Sequence, residues 1–273
     1  MKPVNDITIV TAFFDIGRST WTQDKGLPHY LFRTNETYIE RFKNLTNFDN
    51  KIVLFTSSDL VDTIKSIIGD KKNVNIIVHD YHNTHNHERV KIAAVQQDPK
   101  YQAIINPYQI RNPEYWSPDY VLVNLLKSYF VTMAIKEGHV DTELAAWVDF
   151  GYCRDMDALY NKKSWKLDFD PNKIHLFYAK LPDMTKPVNI VPIIQNNDVH
   201  MIGGSIVGGK HVWRDFCDSV KEQLYTLLDH NLVDDDQTIM LMTYLKDPKK
   251  FEVHPLDRED SLVVFKQYNN SNY

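Results

Sequence analysis

The most chemically suggestive group in this chain is a single carboxylate at the end of a short apolar run. Leu144-Ala145-Ala146-Trp147-Val148 shows no polar alternation, so it reads as a central strand covered on both faces. It delivers Asp149 to its polar end within Trp147-Val148-Asp149-Phe150-Gly151-Tyr152. In an open α/β sheet, ligands bind outside the carboxyl ends of the strands. A carboxylate there can hold a divalent cation, Mn²⁺ or Mg²⁺, against a diphosphate. The plainer alternative is that Asp149 caps the turn that follows. The same Asp-Phe-Gly string holds magnesium in protein kinases, but the glycine-rich loop and the His-Arg-Asp loop of those enzymes are absent, so the match is coincidental.

A second group of carboxylates, Asp234-Asp235-Asp236-Gln237, opens a helix. One aspartate suffices as an N-cap. Another is then left to orient or deprotonate an acceptor hydroxyl, and Asp236 with Gln237 is the better pair for this. Lys127, on the helix before Asp149, can reach phosphate as a point charge, with a solvated lysine as the alternative. Arg18, in the turn after the first strand, suits a pyrophosphate, while Thr11 and Asp15 suit a base or ribose. Gly203 and Gly204 would let backbone amides approach a ligand, although a simple bulge explains them nearly as well. His254, at the end of the last strand and before Pro255, is the candidate second ligand for a metal at Asp149. His79, His82, His85 and His87 fit no compact metal site by spacing and read as a polar loop.

The elements that must position these groups alternate in type. Ile7 to Phe14 is β-rich, Tyr30 to Leu45 has helical spacing, Lys51 to Thr56 is a buried strand, Asp59 to Ile68 a helix stopped by Gly69, and Val74 to Val78 a third strand. This order predicts a parallel sheet with right-handed crossovers. A helix over Thr84 to Asp98, an irregular loop over Lys100 to Trp116 and a helix started by Ser117-Pro118-Asp119 and ended at Gly138 follow. Beyond Cys153, strands are expected at Ile174 to Tyr178, Asn189 to Pro192 and Met201 to Gly209. Helices are expected from Lys210 to Leu228 and after Asp236, with a short strand at Phe251 to His254. The resulting expectation is one α/β domain over residues 1–273. Its Rossmann-like front half covers about 1–152, a mixed back half about 153–266, and a frayed tail 267–273.

Composition narrows the function classes. A chain of 273 residues with 43% hydrophobic content can bury a full core. A net charge of -5, with no basic run, argues against a nucleic-acid partner. Two distant cysteines without CxxC spacing suggest neither a disulfide framework nor a zinc site, which favours a reducing compartment. No apolar stretch is long enough to span a bilayer, and no signal-peptide pattern opens the chain. A cytoplasmic protein is expected, with peripheral contact at the inner face of a membrane left open.

On Thr11-Ala12-Phe13-Phe14-Asp15-Ile16-Gly17-Arg18, Glu114-Tyr115-Trp116-Ser117-Pro118-Asp119-Tyr120, Val123-Asn124, Lys127-Ser128, Trp147 to Tyr152 and Asp236-Gln237, the chain resembles the HtrL/YibB family of bacterial proteins. That family is similar to GT-A glycosyltransferases encoded among surface-polysaccharide genes. The resemblance implies a GT-A-like, mostly parallel sheet with helices on both faces, a nucleotide-sugar donor, and a saccharide or lipid-linked saccharide acceptor in lipopolysaccharide or capsule synthesis. In GT-A enzymes the metal motif is Asp-x-Asp, whereas the third position here is Gly151. Two other readings stand beside the transferase: a nucleotidyltransferase attacking the α-phosphate, and a catalytically inactive binding or scaffold protein that keeps the fold.

Overall fold

In the computed structural model, residues 5–257 and 263–271 are described. β1 (Asn5–Phe13) sends alternate residues to opposite faces, Val10 and Ala12 to one apolar cluster and Ile7, Ile9 and Phe13 to the other. α1 (Asn35–Leu45) starts later than its apolar spacing predicts. The Thr34 hydroxyl caps it by accepting from the Thr37 N–H, while His29–Leu31 forms a separate 3-10 turn. β2 (Ile52–Thr56), α2 (Val61–Ile68) and β3 (Val74–Val78) follow as expected, with Gly69 ending α2 at a φ of 76°.

The predicted 84–98 helix is a short α3 (Tyr81–Thr84) followed by α4 (Asn86–Gln97). The region expected to be an irregular loop begins instead with α5 (Pro99–Ile104), because Asp98 caps it and Pro99 occupies the first helical position, where no N–H is needed. The helix entered at Ser117 divides at Leu126 into α6 (Pro118–Leu125) and α7 (Lys127–Lys136). β4 (Leu144–Val148) is buried at all five positions, and the short β5 (Lys166–Leu167) and β6 (Ile174–Tyr178) come next.

The strand expected at Asn189 to Pro192 is instead the start of α8 (Ile190–Asn196). Asn189 caps this helix by accepting from the Val191 N–H, and Pro192 lies in the first turn, where a missing N–H costs nothing. β7 (Met201–Gly209), α9 (Trp213–Asp229), α10 (Asp236–Lys246), β8 (Phe251–Pro255) and α11 (Val264–Gln267) complete the chain. The tail is not frayed as far as Ser271: the Asn270 N–H donates to the Lys166 carbonyl, and the Ser271 hydroxyl to that of Ser164.

The sheet order is β3-β2-β1-β4-β7-β6-β8, with β5 pairing β1 off this path. Along the path β7 alone runs antiparallel to its neighbours. One face is covered by α4, α6, α7, α9 and α10, and the other by α1, α2 and α11. Trp165 and Trp213, each fully buried, anchor the two faces. Truncating either to alanine removes a side chain whose loss typically costs about 3–5 kcal/mol. The chain moves outward from β1 to β2 and β3, then returns to place β4 on the other side of β1. That reversal is the topological switch point, and it opens a crevice at the carboxyl ends of β1 and β4. No helix among the described residues is long and apolar enough to cross a membrane.

Candidate functional site

A cleft of about 470 Å³ lies at this switch point. Ala12, Phe13 and Phe14 from the end of β1 form one side, with Trp147 and Asp149 from the end of β4 beside them. Gly203 and Gly204 of β7 and Asp235, Asp236 and Gln237 at the start of α10 close the other side.

Lys127 is the hub of that second side. It begins α7, its side chain is only 6% exposed, and its Nζ lies 2.9 Å from Asp149 Oδ1 and 2.9 Å from Asp236 Oδ2. It also donates to the Gly203 carbonyl at 2.9 Å. One ammonium therefore ties together the ends of β4, β7 and α10. Burial acts to lower its pKa, but the two carboxylates outweigh burial and hold it above the usual lysine value. Burial pushes Asp236 upward, with Lys127 opposing. Asp149 Oδ1 also accepts the Trp147 indole N–H at 2.7 Å, and its side chain is 40% exposed, so the carboxylate is oriented yet open to the cleft. Of the three consecutive aspartates, Asp235 is the cap of α10, accepting from the Gln237 N–H at 3.0 Å. Asp234 accepts from the Thr238 hydroxyl.

The glycines are explained by packing. A Cβ on Gly203 would sit 2.1 Å from Asp236 Oδ2, and one on Gly204 3.0 Å from the Tyr152 ring. Gly203 is therefore what allows Asp236 to lie against β7. Gly151 has a similar origin: a Cβ there would meet the Tyr38 ring at 2.8 Å, so the second aspartate of an Asp-x-Asp motif has no space without displacing Tyr38.

The opposite side of the cleft carries four arginines, Arg18, Arg33, Arg41 and Arg154. Arg18 lies over the rings of Trp21, Tyr38 and Tyr120, at 4.9, 5.2 and 5.6 Å from their centroids. Burial and then the neighbouring Arg41, Arg18 and Arg154 push Arg33 down to about 10. Burial and then Arg154 lower Arg41 in the same way. Among the described residues none of the four is ion-paired to a carboxylate within 4.0 Å. Three of these guanidiniums are partly buried and that of Arg154 is exposed, and together they make a cationic wall whose fork geometry suits phosphate chemically.

Of the residues singled out by sequence, Arg18, Lys127, Asp149, Gly203, Gly204, Asp236 and Gln237 line the cleft. Thr11 does not, being fully buried within the sheet. Asp15 is exposed and occupied, accepting from the Gly17 N–H of its own turn and from the side chain of Asn35 at the start of α1. His254 lies on β8, the third strand beyond β4, packed on Phe169, so the geometry does not join it to Asp149 in one metal site. Sequence reading missed Arg33, Arg41 and Arg154. Only Arg154, five residues after Asp149 in the same loop, carried a local signal. Of the histidines near residue 80, His79 and His85 pack on the Tyr129 ring with their own centroids 6.2 Å apart, while His82 faces Asp119.

A family model described as a bacterial protein of unknown function (HtrL_YibB) matches residues 5–269. Protein HtrL of Escherichia coli (strain K12) is 39% identical over 265 residues, covering 97% of this chain and 93% of that protein. Among solved structures, the apo crystal structure of mouse xyloside xylosyltransferase 1 aligns with a TM-score of 0.47 and 12% identity, covering 91% of this chain and 85% of that one. Since the family match runs from the first residue of β1 to beyond α11 and takes in every residue of the cleft, the chain belongs to the HtrL_YibB family.

Proposed function

We propose that the cleft binds a nucleotide-diphosphate sugar and transfers its sugar to a saccharide or lipid-linked saccharide, in the manner of a GT-A-like glycosyltransferase of surface-polysaccharide synthesis. The observation that carries this reading is the pairing of an unneutralised arginine wall with an oriented carboxylate pair across a switch-point cleft. The diphosphate lies against Arg18, Arg33, Arg41 and Arg154. The sugar faces Asp149 and the acceptor hydroxyl faces Asp236 and Gln237.

In the transfer, the acceptor oxygen bonds to the anomeric carbon, the bond from that carbon to the diphosphate oxygen breaks, and the hydroxyl proton passes to the Asp236 carboxylate. Lys127 favours the ionised form of that carboxylate against the pull of burial, as a proton acceptor requires. The arginines neutralise the charge that develops on the leaving diphosphate.

A Mn²⁺ or Mg²⁺ ion held jointly by Asp149 and His254 does not fit this arrangement. The space between Asp149 and Asp236 holds the Lys127 ammonium, the second motif position is closed by Tyr38, and His254 lies outside the cleft. The proposed donor binding therefore rests on arginine.

The test is calorimetric binding of UDP, GDP and their sugars to the parent chain and to Arg33→Gln/Arg41→Gln, in chelator and again in Mn²⁺. The reading expects binding in chelator that weakens at least about tenfold in the double variant. Binding that needs Mn²⁺ and ignores both arginines would remove the arginine assignment. No binding of any nucleotide diphosphate would remove the transferase reading.

A further inference from the structure

A second group of side chains with metal chemistry lies away from the cleft, on the paired strands β6 and β8. His175 stands opposite Glu252 in this parallel pair, and Phe177 stands opposite His254. Residues 252 and 254 are two apart on one strand and so project to the same face, toward the His175 ring. The ligating atoms of His175, Glu252 and His254 all lie within 4.8 Å of one another.

The hydrogen bonding of His175 selects its tautomer. Its Nε2 lies 2.9 Å from the Asp170 backbone carbonyl, which can only accept, so Nε2 carries a proton. In the neutral ring Nδ1 then presents a lone pair, 2.9 Å from His254 Nε2 and 3.6 Å from a Glu252 carboxylate oxygen. A backbone carbonyl taking the distal N–H of an imidazole is how metal-bound histidines are commonly oriented. Both imidazoles also stack on Phe169, at 4.3 and 4.5 Å between centroids, which fixes their planes. His175 is fully buried, whereas the Glu252 side chain is 42% exposed, so the cluster is open to solvent on one side.

We propose that His175, Glu252 and His254 bind one divalent transition cation of the Zn²⁺ class, clamping the edge strand β8 to β6. Two imidazoles and one carboxylate are a donor set that such a cation takes, with water completing the coordination. Tetrahedral ligands about 2.0–2.1 Å from a common ion lie roughly 3.3 Å apart, between the 2.9 and 3.6 Å that separate His175 Nδ1 from His254 Nε2 and from the Glu252 carboxylate. The Tyr268 ring, 5.3 Å from that of His254, joins the C-terminal segment to the same clamp.

The test uses the full chain, stripped with chelator and titrated with Zn²⁺ alone, with Co²⁺ as a spectroscopic probe. Expected are one equivalent bound, a rise in unfolding temperature, and a tetrahedral Co²⁺ ligand-field spectrum without a thiolate charge-transfer band, which excludes Cys153 and Cys217 as ligands. Glu252→Gln and His254→Gln, both at partly exposed positions, should each weaken Zn²⁺ binding by about tenfold or more, while Asp149→Asn should leave it unchanged. The proposal is overturned if the chain binds less than one equivalent, or if one equivalent binds with the same affinity in both β8 variants.

Discussion

On the side of the cleft formed by β4, β7 and α10, the central charges are already matched: Lys127 is bonded to Asp149, Asp236 and the Gly203 carbonyl, and Trp147 orients Asp149. On the side formed by α1 and the loops after β1 and β4, Arg18, Arg33, Arg41 and Arg154 raise one another's energy, and none is ion-paired to a carboxylate among the described residues. The first side is an internal scaffold that stands without ligand. The second is electrostatically costly as it stands, which under the proposed function is binding favoured at the expense of stability. Substitutions should therefore separate the two: scaffold residues should be read mainly in unfolding and wall residues mainly in binding.

The largest effect is expected from Lys127→Met, which leaves the nearly buried Asp236 without its counter-charge. Breaking one partner of a buried ion pair costs about 3–5 kcal/mol, measurable by urea unfolding. Adding Asp236→Asn should recover part of that loss, and a strictly additive double variant would break the idea of a shared hub.

Acids behind the scaffold should make its stability depend on pH. Burial and then Asp235 push Glu114 up to about 8, and burial, with Glu114 adding to it, pushes Asp234 up to about 7. The folded chain holds these protons more tightly than the unfolded chain. Their stabilising contribution is therefore present below about pH 4.5 and is lost as pH rises through about 7 to 8. Unfolding temperature measured across that window should fall with rising pH, and Glu114→Gln should flatten the fall. A rise with pH that Glu114→Gln leaves unchanged would contradict the assignment.

Gly203→Ala comes next, at about 1–3 kcal/mol, since its Cβ would press on Asp236 Oδ2. Smallest in stability, and opposite in sign, is Arg33→Gln. Removing one of four repelling cations should leave the unfolding free energy unchanged or raise it by up to about 1 kcal/mol, while nucleotide diphosphate affinity falls about tenfold. An Arg33 variant as destabilised as Lys127→Met would erase the distinction between the two sides.

What was legible in the sequence follows from the range of the interactions. β4 announced itself through five uninterrupted apolar residues, so the position of Asp149 at its end was readable. Ser117-Pro118 and Asp235-Asp236 marked helix starts because capping is local. Lys127 read as equally suited to solvent. Its burial depends on the division of the helix at Leu126 and on groups from β4, β7 and α10 that lie far away in the chain. Arg33 and Arg41, in a loop and on a surface helix, gave no local sign of gathering beside Arg154 on one wall of the cleft. Ile190-Val191 suggested a strand by β-branching, and the Asn189 cap with Pro192 in the first turn made a helix instead. His254 was correctly expected at a strand end, but the neighbours that define its chemistry, His175 and Phe169, come from elsewhere in the chain.

The measurement that bears most directly on the cleft is thermal unfolding of the purified chain with a panel of nucleotide diphosphates and nucleotide sugars, in chelator and in Mn²⁺, since a ligand that binds only the folded state must raise the unfolding temperature. The account predicts a rise with at least one nucleotide diphosphate in chelator that disappears in Arg33→Gln/Arg41→Gln. The absence of any shift across the panel, in either condition, would contradict it.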